Sequence, residues 1–221
     1  MLRRLGTVAY DLASRAILRL APAAQIAGIR VSFLMWRGAA RDHAAQTMAQ
    51  ALDLIAAYAP RRFAAVRREF AAILVYDCGP VLSLGQFNSR LYLCVVNAGY
   101  FDVQHPGIAD AVIAASVLIH EAVHGRLARY GYIGDRLRND RTLLHRVERV
   151  CVEAELDFVS LLPGSESLQV HYRARLQAIP DMYSEHAERA ENRAALKELL
   201  RLLGLSRRSR EAEVPTDRPA A

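Results

Sequence analysis

Lysine is almost missing from this chain: of its 29 basic residues only Lys197 is not an arginine, and alanine is abundant. That pairing is a compositional bias of the coding sequence, so the arginine preference carries no argument for phosphate recognition. Cysteine is scarce as well. The three present, Cys78, Cys94 and Cys151, are odd in number and widely spaced, with no CxxC or CxH pair. This excludes a disulfide framework and a finger-type zinc site, and fits reduced core thiols in a reducing compartment. No uncharged apolar run of 18 residues occurs, which argues against a transmembrane helix. The start has the basic opening of a signal peptide, but Asp11, Arg15 and Arg19 interrupt the apolar stretch that should follow. A cytoplasmic location is the expectation.

What is present is a length of 221 residues, 52% hydrophobic and 24% charged, which describes one globular domain and not a disordered chain. The net charge of +6 invites a nucleic-acid or membrane partner. Its distribution narrows the choice. Residues 1–41 hold seven arginines against the single acid Asp11, leaving 22 basic and 22 acidic side chains in 42–221. The body is therefore no basic platform, and no nucleic-acid partner is expected. Leu12, Ile17, Leu18 and Leu20 with Arg15 and Arg19 allow a basic amphipathic helix. It can touch a membrane surface peripherally or pack on the protein's own core.

The expected division is a basic amphipathic segment over 1–41, a folded domain over 42–204 and a disordered tail over 205–221. Helical spacing of Ala45, Met48, Leu52 and Ile55 predicts a helix from Arg41 to Tyr58, closed by Pro60, with a short helix over 61–69. Ala72 to Tyr76 and Leu91 to Val96 read as strands of a small sheet or hairpin, with turn residues between them. A long apolar helix follows from Ile108 to about Tyr130, ending at Gly131. Asn139 and Asp140 offer an N-cap for a helix over roughly 141–162, stopped by Pro163-Gly164. Two further helices, about 165–178 and 181–203, are separated by Pro180.

The chemistry-bearing motif is His120-Glu121-Ala122-Val123-His124, inside the apolar helix. Positions i and i+4 lie one turn apart on one face, so both imidazoles can reach one metal ion, and Glu121 falls beside a water that needs a base. With 7 His and 12 Glu in the chain, chance would supply such a pattern only about 0.01 times. Burying two histidines and a carboxylate on a core helix without a ligand would be costly.

A third ligand is sought on the next helix, in HRVERVCVEAELDF. If that helix returns antiparallel, Glu148 lies about 12 Å along it from the cap, at a rise of about 1.5 Å per residue, and is roughly level with the histidine pair. Glu148, Cys151 and Glu155 then form one inward stripe. The first choice is Glu148 as ligand with Glu155 behind a histidine; the second exchanges the two.

Over about 117–163 the chain resembles the zincin metallopeptidases, whose HExxH histidines bind zinc and whose glutamate activates water. Tyr130 and Leu127 stand where the metzincin branch has histidine and glycine, so the resemblance is to the gluzincin pattern, with a downstream glutamate as ligand. It also opens a third option, Glu153 as ligand supported by Asp157 four residues later. The resemblance implies an α+β, predominantly helical fold with a zincin-like core. In it a small β-sheet precedes the HExxH helix and a glutamate-bearing helix follows. It further implies Zn2+ as cofactor, a peptide or protein substrate, Glu121 as general base, and Leu91–Val96 as a substrate-binding edge strand. The alternative for that strand is an interior position. Tyr130, Tyr132, His145 and His171 are residue types able to stabilise an oxyanion, with Tyr132 and His145 nearest the turn that borders the site. Rival readings are a zincin-fold binding or regulatory protein with little general proteolysis, and a helical membrane-surface protein with a fortuitous HExxH.

Overall fold

The computed structural model describes residues 15–34, 38–77, 85–100, 110–133 and 140–182. Two strands, β1 (Ala23–Ile26) and β2 (Ile29–Leu34), lead into helices α1 (Gly38–Tyr58) and α2 (Pro60–Glu69). Strands β3 (Ala72–Tyr76), β4 (Gly85–Asn88) and β5 (Leu93–Asn97) follow, then helices α3 (Asp110–Arg129), α4 (Arg141–Val159) and α5 (Glu166–Met182). The fold is α+β and mostly helical, around one mixed sheet of order β1-β2-β3-β5-β4. The central strands β2, β3 and β5 are parallel, while β1 and β4 are antiparallel to their neighbours.

Several local features account for the elements. Pro60 does not merely end α1; it opens α2 in its first turn, where its missing N–H would be unpaired in any case. Helix α3 stops in a Schellman arrangement: Gly131, at φ 76°, donates to the Ala128 carbonyl and Tyr132 donates to the Leu127 carbonyl. Helix α4 starts where the Asp140 side chain accepts from the Leu143 amide at 2.9 Å. It ends at Val159, three residues short of the expected 162.

Three sequence expectations are corrected. Residues 23–34 are not part of a separate amphipathic segment but form two strands of the sheet, so a boundary at 41/42 falls inside the folded unit. The hairpin turns on Ala27 and Gly28, at φ 50° and 79°, the two positive-φ positions of a type I′ turn. Pro180 does not break the helix where expected, because α5 continues through the proline to Met182. The strand expected at Leu91–Val96 is Leu93–Asn97, and it is interior; the edge belongs to β4. The expected helix over 181–203 lies, beyond Met182, outside the described residues. So do the tail over 205–221, residues 1–14 and Asn139.

Alternation along the strands divides the core. Ile29, Val31, Phe33, Ile73, Val75, Cys94 and Val96 face the helical layer. Ala72, Leu74 and Leu93 face the other way, where Ile17 and Leu18 of a helical turn over 15–20 cover them. Helix α3 is buried on most of its circumference, packed by α1, α2, α4 and the strands β4 and β5. By length and composition it could cross a membrane, yet 67% of its apolar window is buried inside the fold. An all-round apolar helix at the centre of a core has the same composition.

Close packing at α3 depends on Gly125, where a Cβ would lie 2.8 Å from Glu69 Cβ and 3.2 Å from Phe87 Cζ. Alanine would gain roughly 1 kcal/mol of helix propensity, but Glu69 Cβ is fixed to its backbone and cannot swing aside. Overpacking of about 1–3 kcal/mol then outweighs the gain. Gly125→Ala is expected to lower the urea midpoint, and a raised midpoint would show that this contact is slack.

Candidate metal centre

Helices α3 and α4 meet with His120 opposite Glu155 and His124 opposite Glu148, the pattern of two antiparallel helices read from their contacts. The Nε2 atoms of His120 and His124 are 3.1 Å apart, with ring centroids 4.9 Å apart. The Glu148 carboxylate lies 3.5 Å from His120 Nε2 and 3.4 Å from His124 Nε2. The carboxylate thus bridges the two imidazoles, Oε2 facing His120 and Oε1 facing His124.

The spacing can be tested against a metal. Bond lengths of about 2.0–2.2 Å to nitrogen and oxygen in a tetrahedral site put neighbouring donors roughly 3.3–3.5 Å apart. The 3.1 Å between the two nitrogens is close to such a tetrahedral edge, and the carboxylate spans the pair, Oε2 lying 3.5 Å from His120 Nε2 and Oε1 3.4 Å from His124 Nε2. His120 and His124 with Glu148 therefore have the donor chemistry of a zinc-type site. Cys151 adds a sulfur, its Sγ and the nitrogens of His120 and His124 all lying within 4.8 Å of one another.

Behind this face, His120 Nδ1 is 3.0 Å from Glu155 Oε2, and Arg175 of α5 donates to the same oxygen at 2.9 Å. A carboxylate on the far ring nitrogen fixes the imidazole's orientation and tautomer, directing Nε2 toward Glu148. Tyr172, also on α5, is buried, and burial followed by the charge of Glu155 raises its phenol well above the usual range.

The electrostatics of these groups are strongly coupled. Burial works to depress His120, but Glu155 and Glu148 outweigh it and lift the imidazole to about 10. His124 goes the other way, to about 4, because burial and then the charge on His120 disfavour a second proton. Glu121 is raised to about 7, chiefly by burial, with His120 pulling it down and Glu148 and Glu155 pushing it up. Burial raises Cys151 as well, with Glu148, Glu121 and Glu155 adding to it. A dication among these groups would reverse that balance, favouring neutral imidazoles and a charged Glu121.

Glu121 is buried beside the edge strand. A Cβ on Gly85 of β4 would sit 2.5 Å from Val117 Cγ1 and 2.7 Å from Glu121 Oε1, so β4 can approach the carboxylate this closely only with glycine there. The remaining candidates are dispersed. Glu153 and Asp157 are on the exposed face of α4, and Asp157 pairs with Arg62 at 2.8 Å. Tyr130 and Tyr132 are exposed beyond the end of α3. His171 is exposed on α5 with its ring against Tyr172. His145 lies one turn before Glu148 on α4, and its Nε2 is buried with no hydrogen-bond partner among the described residues.

Two participants escaped the sequence reading. Arg175 is one of two arginines in α5, and only its tertiary contact with Glu155 distinguishes it. Gly85 sits in a short strand, GQFN, that carries no hydrophobic run; an isolated glycine among turn residues was the one available signal. No protein-family model, curated protein or solved structure matches the chain.

Removing Arg175 would leave Glu155, 2% exposed, with only an imidazole for compensation. Arg175→Met should cost about 3 kcal/mol, the order seen when one partner of a buried pair is deleted. The Arg175→Met/Glu155→Gln double variant should lose less than the sum of the two single variants, read from denaturation midpoints.

Proposed function

We propose that this protein is a zinc-dependent metallohydrolase of the zincin type, most simply a peptidase. The observation that carries the reading is the meeting of His120 Nε2 and His124 Nε2 at 3.1 Å with the buried Glu148 carboxylate, one oxygen toward each nitrogen, and Glu155 orienting His120 from behind. His120, His124 and Glu148 would hold the ion. When bound, the ion supplies Lewis acidity, lowering the pKa of water and polarising a carbonyl.

The chain's own residues supply the rest. Glu121, adjacent to His120 and buried, is positioned to take a proton from the attacking water on its carboxylate and to return it to the departing amine nitrogen. Its burial and the close approach of β4 limit bulk water around it, so its basicity is set by the protein. His145 Nε2 is a buried nitrogen without a partner among the described residues, one turn from Glu148, and a donor so placed suits a developing oxyanion. Strand β4 ends the sheet among the described residues, and its outer edge is where an extended peptide could add as a further strand. This transfers to Gly85–Asn88 the role that resemblance suggested for Leu91–Val96.

A peptide or protein is accordingly the proposed substrate, and the cytoplasm the proposed location, in keeping with the free thiols of Cys94 and Cys151. A peripheral membrane contact through 1–41 would use Arg15, Arg19 and Leu20, which point away from the sheet while Ile17 and Leu18 pack on it.

Metal analysis and peptide-library hydrolysis test the proposal together. Wild-type protein should carry stoichiometric zinc. His120→Ala should lose it, whereas Glu121→Gln should keep it and drop hydrolysis by at least about 10²-fold, the upper range of general acid–base catalysis being about 10⁴. Absence of zinc from the native protein, or full activity in Glu121→Gln, would overturn it. His145→Ala should retain zinc and lower kcat by about 10²-fold, in line with loss of one oxyanion donor. An unchanged kcat would remove His145 from the mechanism.

A further inference from the structure

Cys151 is buried at 0% exposure on the stripe of α4 that also carries Glu148 and Glu155, three residues after the one and four before the other. The helix therefore directs all three side chains toward His120 and His124. The sulfur lies with both histidines in a set of donor atoms no more than 4.8 Å apart. A zinc–sulfur bond of about 2.3 Å puts sulfur roughly 3.6 Å from a nitrogen on the same tetrahedral ion. The remaining adjustment is about an ångström, within reach of one χ1 change or a small helix shift.

We propose that Cys151 is a fourth protein donor to the ion held by His120, His124 and Glu148, and that its thiolate closes the coordination position a substrate water would need. This rests on the zinc-site reading above and adds a regulatory state to it. The site then has a closed form with four protein ligands, the arrangement of structural zinc, and an open form in which the sulfur has withdrawn. Closing forms one metal–sulfur bond, displaces the water from that position, and releases the thiol proton to solvent. Sulfur is the softest donor in the set and the one best matched to zinc over harder cations, so the closed form also selects the metal. A closed resting form would make hydrolysis slow until a substrate docked on β4 moved α4 or displaced the thiolate.

Cobalt substitution of the full chain separates the two levels of the argument. Chelator-treated protein titrated with Co2+ should develop visible d–d bands of four-coordinate intensity, together with a sulfur-to-cobalt charge-transfer band in the near ultraviolet. Cys151→Ser and Cys151→Ala should keep the d–d bands, lose the charge-transfer band and bind Zn2+ at least about tenfold more weakly. Cys94→Ala should keep both features. Visible bands without charge transfer in the wild-type chain would overturn the Cys151 assignment and leave the histidine–glutamate centre standing. The absence of visible bands would overturn the metal centre, and the Cys151 assignment with it. Should both Cys151 variants fail to fold, wild-type protein alone still decides the question, because its charge-transfer band is present or absent whatever the variants do.

Discussion

The buried Glu148, Glu155 and His120 meet the half-buried His124 between α3 and α4, and most of the structure around them can be understood from that single contact. Unpaired, each charged group would cost several kcal/mol to desolvate. The arrangement leaves none of the four alone: Glu148 lies between the two Nε2 atoms, and Glu155 between His120 Nδ1 and Arg175. That second pairing needs a third helix, which explains why α5 must pack along α4. The registers on both sides are set by the caps. Gly131 and Tyr132 end α3 at a defined residue and Asp140 starts α4 at another, so the antiparallel return brings 120 to 155 and 124 to 148.

The same contact explains why the motif was legible and much around it was not. His120, Glu121 and His124 are legible because a helix converts sequence spacing into a face without outside help. Glu148 and Glu155 follow from the same periodicity once α4 returns antiparallel, which needs only the glycine stop and the aspartate cap. Arg175 and Gly85 obey no such local rule. Arg175 stands near the exposed Arg173 in HYRARLQ, and only the fold decides which guanidinium turns inward. Strand β4 exists through its pairing with β5, since GQFN has neither β-branched residues nor alternation enough to specify a strand.

The first strands were missed for a different reason. Ile29, Val31 and Phe33 alternate, and Ala27-Gly28 is an acceptable hairpin turn, but seven arginines in 41 residues directed attention to charge instead of period. In the structure Arg15, Arg19 and Arg30 are exposed, while the apolar Ile29, Val31 and Phe33 beside them are used by the sheet. Pro180 shows the opposite error, a strong local signal overruled by packing: the proline removes one helical hydrogen bond, which the burial of Ile179 beside it can outweigh.

Helix α3 joins the fold to the chemistry. A membrane-spanning reading of its composition accounts for its alanines, valines and leucines but leaves the His120-Glu121-His124 face to be placed in hydrocarbon with its carboxylate partners on another helix. A place inside the protein's own core accounts for both at once. The apolar circumference packs against α1, α2 and the sheet, and the one polar face meets a helix whose inward stripe is Glu148, Cys151 and Glu155. Across that interface every polar group is a metal-ligand type or the partner of one, whereas elsewhere the helix buries almost nothing polar. Such segregation supports the proposed metal centre. The +6 charge plays no part in it: between Asp102 and Pro163 the chain has seven basic and nine acidic residues, a slightly negative region suited to a cation.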